Sequence, residues 1–369
     1  MGKLGLFIEE IAEKTTKNNQ YEVLTSSQNG IISQEEYFNK QVASVDNTGY
    51  KIIRRGQFTY RSMSDTGRFY INRLINKEVG IVSPAYPVFK LVSNKLDPEY
   101  LELFFQSEAF QRQISDKSSG STRLALRFAK LKNVEIDVPS IETQRRIVDT
   151  IKKVKATIST EDNELVFCDE LIKSRFNEMF GKDIETVKIG DVLKTTSGGT
   201  PSKGRLEYYS NGNIPWLCSG EVNAGIITEV KNKITELGLK NSSAKWIPEN
   251  SVVVAMYGAT AGKVGLLKIK TTTNQAVCSI LPDSKFIPEF LYYAVGSKTE
   301  ELVSKAWGGA QPNISQGIIK NTYIPFPSLD KQNEFASFVS RIDKLKFNVQ
   351  KRIEKYKELL NKKMDEYFN

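Results

Sequence analysis

The chain has 369 residues, 40% hydrophobic and 10% aromatic, enough for two packed cores, with a formal charge of +9. It has no histidine, and its three cysteines, Cys168, Cys218 and Cys278, are far apart. This excludes a Ser-His-Asp triad and an HExxH zinc site and argues against a CxxC knuckle or a disulfide framework, while the surplus of cations suits a polyanion such as DNA.

The opening "MGKLGLFIEEIAEK" lacks the apolar length of a signal peptide, and Leu6 stands where a myristoylation signal needs Ser or Thr. The longest apolar run, "VVVAMYGATAGKVGLL", is interrupted by Tyr257, glycines and Lys263, so no membrane span is expected and the address is cytoplasmic. Next come β-branched stretches such as "GYKIIRRGQFTY", then a helix over "DPEYLELFFQSEAFQRQI". At Pro139 and Ser140 the pattern changes to a helix start, with Glu142 in the first turn where the helix dipole favours an acid. Weak helix formers between Thr157 and Asn163 allow a break there. A second mixed stretch follows, with "NSVVVAMYG" as a strand, and Pro327, Ser328 and Asp330 open a second long helix.

Shifting the chain by 188 residues lays Leu131–Phe180 over Ile319–Phe368 without a gap. Ten positions are then identical, among them Lys132/Lys320, Asn133/Asn321, Pro139/Pro327, Ser140/Ser328, Gln144/Gln332 and Phe180/Phe368. Chance would give roughly three. Fainter echoes lie upstream: "PEYL" at Pro98 against "PEFL" at Pro288, and "GII" at Gly30 against Gly225. A period this long reads as tandem duplication of a domain plus a linker. The expected fold class is α+β: target domains 1–139 and 182–327, alternating with long helices 140–181 and 328–369.

Heptad positions a and d of the first helix are Ile147, Ile151, Val154, Ile158, Glu161, Leu165, Cys168, Ile172, Arg175 and Met179. In the second they are Phe335, Val339, Ile342, Lys346, Val349, Ile353, Tyr356, Leu360, Lys363 and Tyr367. Eight of ten are apolar in each, the pattern of an antiparallel coiled-coil pair. Symmetric pairing would set the two polar breaks, Glu161 and Lys346, opposite each other.

Two loops imitate catalytic motifs and fail. "YGATAGKVG" has Tyr257 at the first glycine of a Walker A loop and Val264 where Ser or Thr would hold magnesium. "PDSK" at Pro282 offers one carboxylate beside one lysine, too few acids for a Mg²⁺ site. No FxGxG-like loop and no NPPY or DPPY tetrad accompanies them, so methyl transfer by this chain alone is not expected.

What remains are small polar loops carrying a basic residue, which suit recognition: glycine lets the backbone approach a groove, hydroxyls and amides read base edges, and cations neutralise phosphates. In the first copy the candidates are Thr25, Ser26, Arg61, Ser62, Ser64, Arg68, Ser121, Thr122 and Arg123. In the second they are Thr200, Ser202, Lys203, Arg205, Ser219, Tyr257, Thr260, Lys263, Gln311 and Asn313. Tyr60, Gly67 and Arg68 mirror Tyr257, Gly262 and Lys263.

"GGTPSKGRLEYYSNGNIPWL", "YGATAGKVG", "TTNQAV", "PNIS" and "IPFPSLDKQ", with "YEVLTSSQNGI", "YRSMSDTGRFYINRL", "GIVSPAYPVFKL" and "VPSIETQRRIV" in the first half, resemble the specificity subunits of type I restriction-modification systems over nearly the whole chain. One departure is the short segment before Tyr21. The resemblance implies a non-catalytic reader of a bipartite double-stranded DNA target. Two methyltransferase subunits would dock on its helices and restriction subunits would join them, with S-adenosylmethionine, ATP and Mg²⁺ held by those partners and no cofactor or metal by this chain. Half-sites are then expected about one DNA turn apart, with the helices setting the gap. A stand-alone DNA-binding regulator, the specificity part of a fused nuclease, and a coiled-coil interaction protein without a DNA role remain as other readings.

Overall fold

The structure, a computed structural model, describes residues 1–37, 46–115, 124–306 and 313–369, with Asn223 and Ala224 described by their backbone alone. It divides into two compact units, 1–163 with 350–369, and 164–349. The architecture is α+β: two tandem mixed heads and two 40-residue helices, Ile141–Phe180 and Leu329–Phe368, that run antiparallel where they pair within each unit.

The first head is built on an antiparallel sheet in the order Ile8–Glu10, Val88–Leu91, Phe58–Tyr60, Ile71–Arg73. The second repeats it as Thr195–Ser197, Val277–Ile280, Val252–Ala255, Val264–Leu267, and adds Ile226–Ile227 in parallel at the far edge. β-branched and aromatic residues fill these strands because a pleated, buried surface suits them. The expected single helix after Asp97 is two, Pro98–Gln106 and Glu108–Ile114. Ser107 has extended backbone (ψ 152°), and its hydroxyl caps the second by accepting from the Phe110 N–H at 3.2 Å.

The heptad seam is real. Every one of its twenty a and d positions is buried or half-buried. The break that the sequence allows between Thr157 and Asn163 is absent. Continuous seam packing outweighs weak local propensity, and the Thr157 and Thr160 hydroxyls donate back to the carbonyls of Lys153 and Ala156 at 3.0 and 3.1 Å. Each polar break finds its ion partner inside its own unit. Glu161 holds Arg352 in the first unit, with Nη2 at 2.7 Å, and Lys346 holds Asp169 in the second at 2.6 Å. Both partners are displaced six to eight residues from the expected register, about one heptad.

Equivalent helix residues enter equivalent cores. Ile147 and Ile151 pack in the first unit with Leu360, Met364 and Phe368; Phe335 and Val339 pack in the second with Ile172, Phe176 and Phe180. The short N-terminal segment closes its own unit: Gly2–Lys3 pairs with Glu135–Ile136 as Thr186–Lys188 pairs with Tyr323–Pro325. Gly5 and Gly190 lie against Lys132 and Lys320, where an added Cβ would come within 3.1 and 2.9 Å of the lysine Cβ.

The start of each long helix is tied to its head by one buried amide. Gln144 Oε1 accepts from the Asp97 N–H at 2.8 Å, and its Nε2 donates to the carbonyls of Lys95 and Pro139, both at 2.8 Å. Gln332 accepts from the Ile287 N–H at 2.9 Å and donates to Lys285 at 3.1 Å and Pro327 at 3.0 Å. Both glutamines are 0% exposed. The repeated "PS…Q" therefore encodes a three-point amide clamp.

Candidate nucleic-acid interface

In the first unit the strand Phe58–Tyr60 leaves the core and returns as Ile71–Arg73, and the loop between them carries four of the proposed reading residues, Arg61, Ser62, Ser64 and Arg68. Ser64 Oγ donates to the Arg68 carbonyl at 2.6 Å, and Gly67, at φ +80°, makes the reversal. Arg61, Ser64 and Arg68 line a concavity of about 250 Å³ together with Ser26, Gln28 and Tyr70. Arg68 is ion-paired with Glu108 on the neighbouring helix, and Arg61 has no ion pair among the described residues. Ser62 is half-buried and its carbonyl accepts from the Leu126 N–H at 2.9 Å. The result is a polar recess with guanidinium, amide and hydroxyl groups at its rim.

Thr25 and Ser26 leave the proposed set. They are 1% and 2% exposed. The Thr25 hydroxyl lies 3.4 Å from that of Tyr86; Ser26 Oγ donates to the Tyr70 carbonyl at 3.0 Å and accepts from Asn72 Nδ2 at 2.8 Å. Hydroxyls so committed hold the strand and cannot also meet a base edge. Ser121, Thr122 and Arg123 lie outside the described residues, as does Gln311.

In the second unit the proposed residues lie mostly on two loops. Thr260 Oγ1 donates to the Ser219 carbonyl at 3.0 Å, Gly262 turns at φ +82°, and Lys263 follows, exposed and without an ion pair among the described residues. Tyr257, 38% exposed, bridges to Asn313. On the other loop Thr200 bonds Gln275, Ser202 and Lys203 are exposed, and Arg205 lies 5.9 Å from the centre of the Tyr208 ring. Burial pushes the Cys218 thiol up to about 11, Glu221 adds to this, and the Lys203 ammonium opposes it.

The two hairpins differ by one residue: Tyr60 and its partner Ile71 enclose 61–70, and Val254 and its partner Val264 enclose 255–263. Tyr60, like Val254, lies in the core that its unit's long helices enter, and is wholly buried where Tyr257 is exposed. Two residues escaped the reading by residue type. Glu108 sits in a helix with nothing to mark it, whereas Gln28 belongs to "SQNG", a two-residue hairpin signal that could have drawn it in. "PDSK" is a local turn: Asp283 Oδ1 accepts from the Lys285 N–H at 3.0 Å.

The first relatives are type I restriction enzyme specificity subunits. The chain is 25% identical over 232 residues to EcoR124I/EcoR124II of Escherichia coli, covering 60% of this chain and 56% of that one. It is 30% identical over 178 residues to MjaIX of Methanocaldococcus jannaschii, covering 47% and 41%. The chain thus spans about half the length of these relatives. Among solved structures, a chain described for complex assembly and conformational transition of the type I R-M system superposes with a TM-score of 0.67 at 17% identity, covering 99% of this chain and 96% of that one. The type I restriction-modification S subunit of M. genitalium gives 0.50 at 13%, covering 100% and 95%. These two likenesses concern the fold. The family model for the type I restriction modification DNA specificity domain matches twice, over residues 8–166 and 181–358, once on each copy of the duplicated frame. The chain belongs to the type I restriction-modification DNA specificity family.

Proposed function

We propose that this chain is the non-catalytic DNA specificity subunit of a type I restriction-modification complex, reading two short half-sites of double-stranded DNA separated by bases that nothing touches. The observation that carries this is the duplicated frame with unlike tips: the clamps of the two heads agree bond by bond and their core sheets share one strand order, while the polar loops they present differ in length and chemistry. Two methyltransferase subunits dock on the long helices, where Val166 and Phe167 on one and Leu345 and Phe347 on the other stay exposed. Restriction subunits join that core, and S-adenosylmethionine, ATP and Mg²⁺ belong to these partners. No described helix is long and apolar enough to cross a membrane, and the assembly works in the cytoplasm.

The test is to purify the full chain with the methyltransferase subunits that accompany it and offer a randomised duplex pool. Two conserved blocks separated by a fixed unread gap are expected. A single block, or no enrichment, refutes the assignment.

A further inference from the structure

We propose that Gln28 is a base-reading residue of the first head, placed to take the N6/N7 edge of an adenine in the major groove. The inference rests on the DNA-reading assignment above and goes beyond it in naming the residue and the base. Strands Leu24–Ser27 and Gly30–Ser33 pair in register from Leu24 opposite Ser33 to Ser27 opposite Gly30, which leaves Gln28 and Asn29 as a two-residue turn. That turn is held from beneath. Ser27 Oγ donates to the Gly30 carbonyl and accepts from the Asn29 N–H, both at 3.1 Å, and Gly30 closes the reversal at φ +99°. Asn72 Nδ2 donates to Ser26 Oγ and to the Ser27 carbonyl, both at 2.8 Å, locking the hairpin to the core sheet.

On this fixed base Gln28 is exposed, and its carboxamide has no hydrogen bond among the described residues. The contrast with the amides the fold employs is plain: Gln111, Gln144 and Gln332 use both the oxygen and the nitrogen internally. Gln28 instead lines the concavity that Arg61 and Arg68 share. A planar amide offers one acceptor and one donor side by side, the complement of adenine N6–H and N7, and the major groove admits a two-stranded β-ribbon of this kind. Guanidiniums beside it supply the phosphate or guanine contacts that hold such a ribbon in register. Holding the turn in advance leaves only the amide's own rotamers to be fixed on binding.

The test compares the wild-type chain, with its co-purifying subunits, to Gln28→Ala and Gln28→Arg on the same randomised duplex pool. Gln28→Ala is expected to lose discrimination at one A·T pair of one half-site by about 5- to 150-fold. Gln28→Arg is expected to move the preference there to G·C, since a guanidinium matches guanine O6 and N7. The other half-site stays unchanged, and both variants keep the wild-type melting temperature because the side chain is exposed. A full wild-type motif retained by both variants overturns this inference alone. A wild-type chain that selects no motif overturns the DNA-reading assignment and this inference with it.

Discussion

The two copies agree most closely where head meets helix and least closely at the hairpin tips. At the junction a buried glutamine makes the same three backbone hydrogen bonds in each unit, and a glycine lies against the same lysine. At the tips, the hairpins enclose 61–70 and 255–263, and Arg68 is ion-paired with Glu108 where Lys263 has no ion pair among the described residues. The difference follows from what each region must satisfy. Buried backbone groups accept few substitutes for a partner that reaches all three at once, whereas a solvated loop on a fixed base can change length and composition at little cost in stability.

The strongest way to break this comparison is to remove the clamps. Gln144→Leu and Gln332→Leu each orphan one N–H and two carbonyls in a buried site. At about 1–3 kcal/mol per unsatisfied group, each should destabilise its own unit by at least about 3 kcal/mol, measured by urea unfolding. Similar losses from both are expected. A silent replacement at either position would show that the repeated glutamine is not what ties that helix to its head.

Changes at the tips should do the reverse, altering binding and sparing stability. Lys263→Ala removes a cation with no ion pair among the described residues, and should lower the slope of log K against log salt by about one. Arg68 is held by Glu108, so Glu108→Ala both frees a guanidinium and removes an acid beside the concavity. Tighter DNA binding with a steeper salt dependence is expected for Glu108→Ala, with melting unchanged, since an exposed pair contributes little to folding. Weaker binding would place Arg68 outside the interface.

Much of the frame was legible in the sequence because it rests on local periodicity. Seam positions such as Ile151 and Val339 repeat every 3.5 residues on average, and the duplication preserved that spacing. The break that weak helix formers allow between Thr157 and Asn163 did not form because propensity is a weak term beside packing. The hairpin register was not legible, since it is Val254, not Tyr257, that shares the buried face of Tyr60, and only strand pairing and packing show this. Nor could residue type distinguish Ser26 from Ser64: one is 2% exposed on a buried strand, the other half-buried at a hairpin tip.

The smallest expected effect concerns the seam, where the two units again differ in detail. Glu161 has a side chain only 13% exposed, and its carboxylate meets Arg352 through both Nε and Nη2, at 2.8 and 2.7 Å to Oε2. Asp169 is 65% exposed and meets Lys346 through a single ammonium contact. Arginine's fork fixes a paired geometry that an ammonium on a flexible stem does not, and solvent screens the second pair more fully. Double-mutant cycles with Glu161→Ala and Arg352→Ala should therefore give a coupling energy near the upper end of the usual range for such pairs, about 1 kcal/mol. Asp169→Ala with Lys346→Ala should give about 0.5 kcal/mol or less, falling further in molar salt. If the two cycles agree within error, exposure does not separate the two seams and their polar breaks are energetically alike despite their different partners.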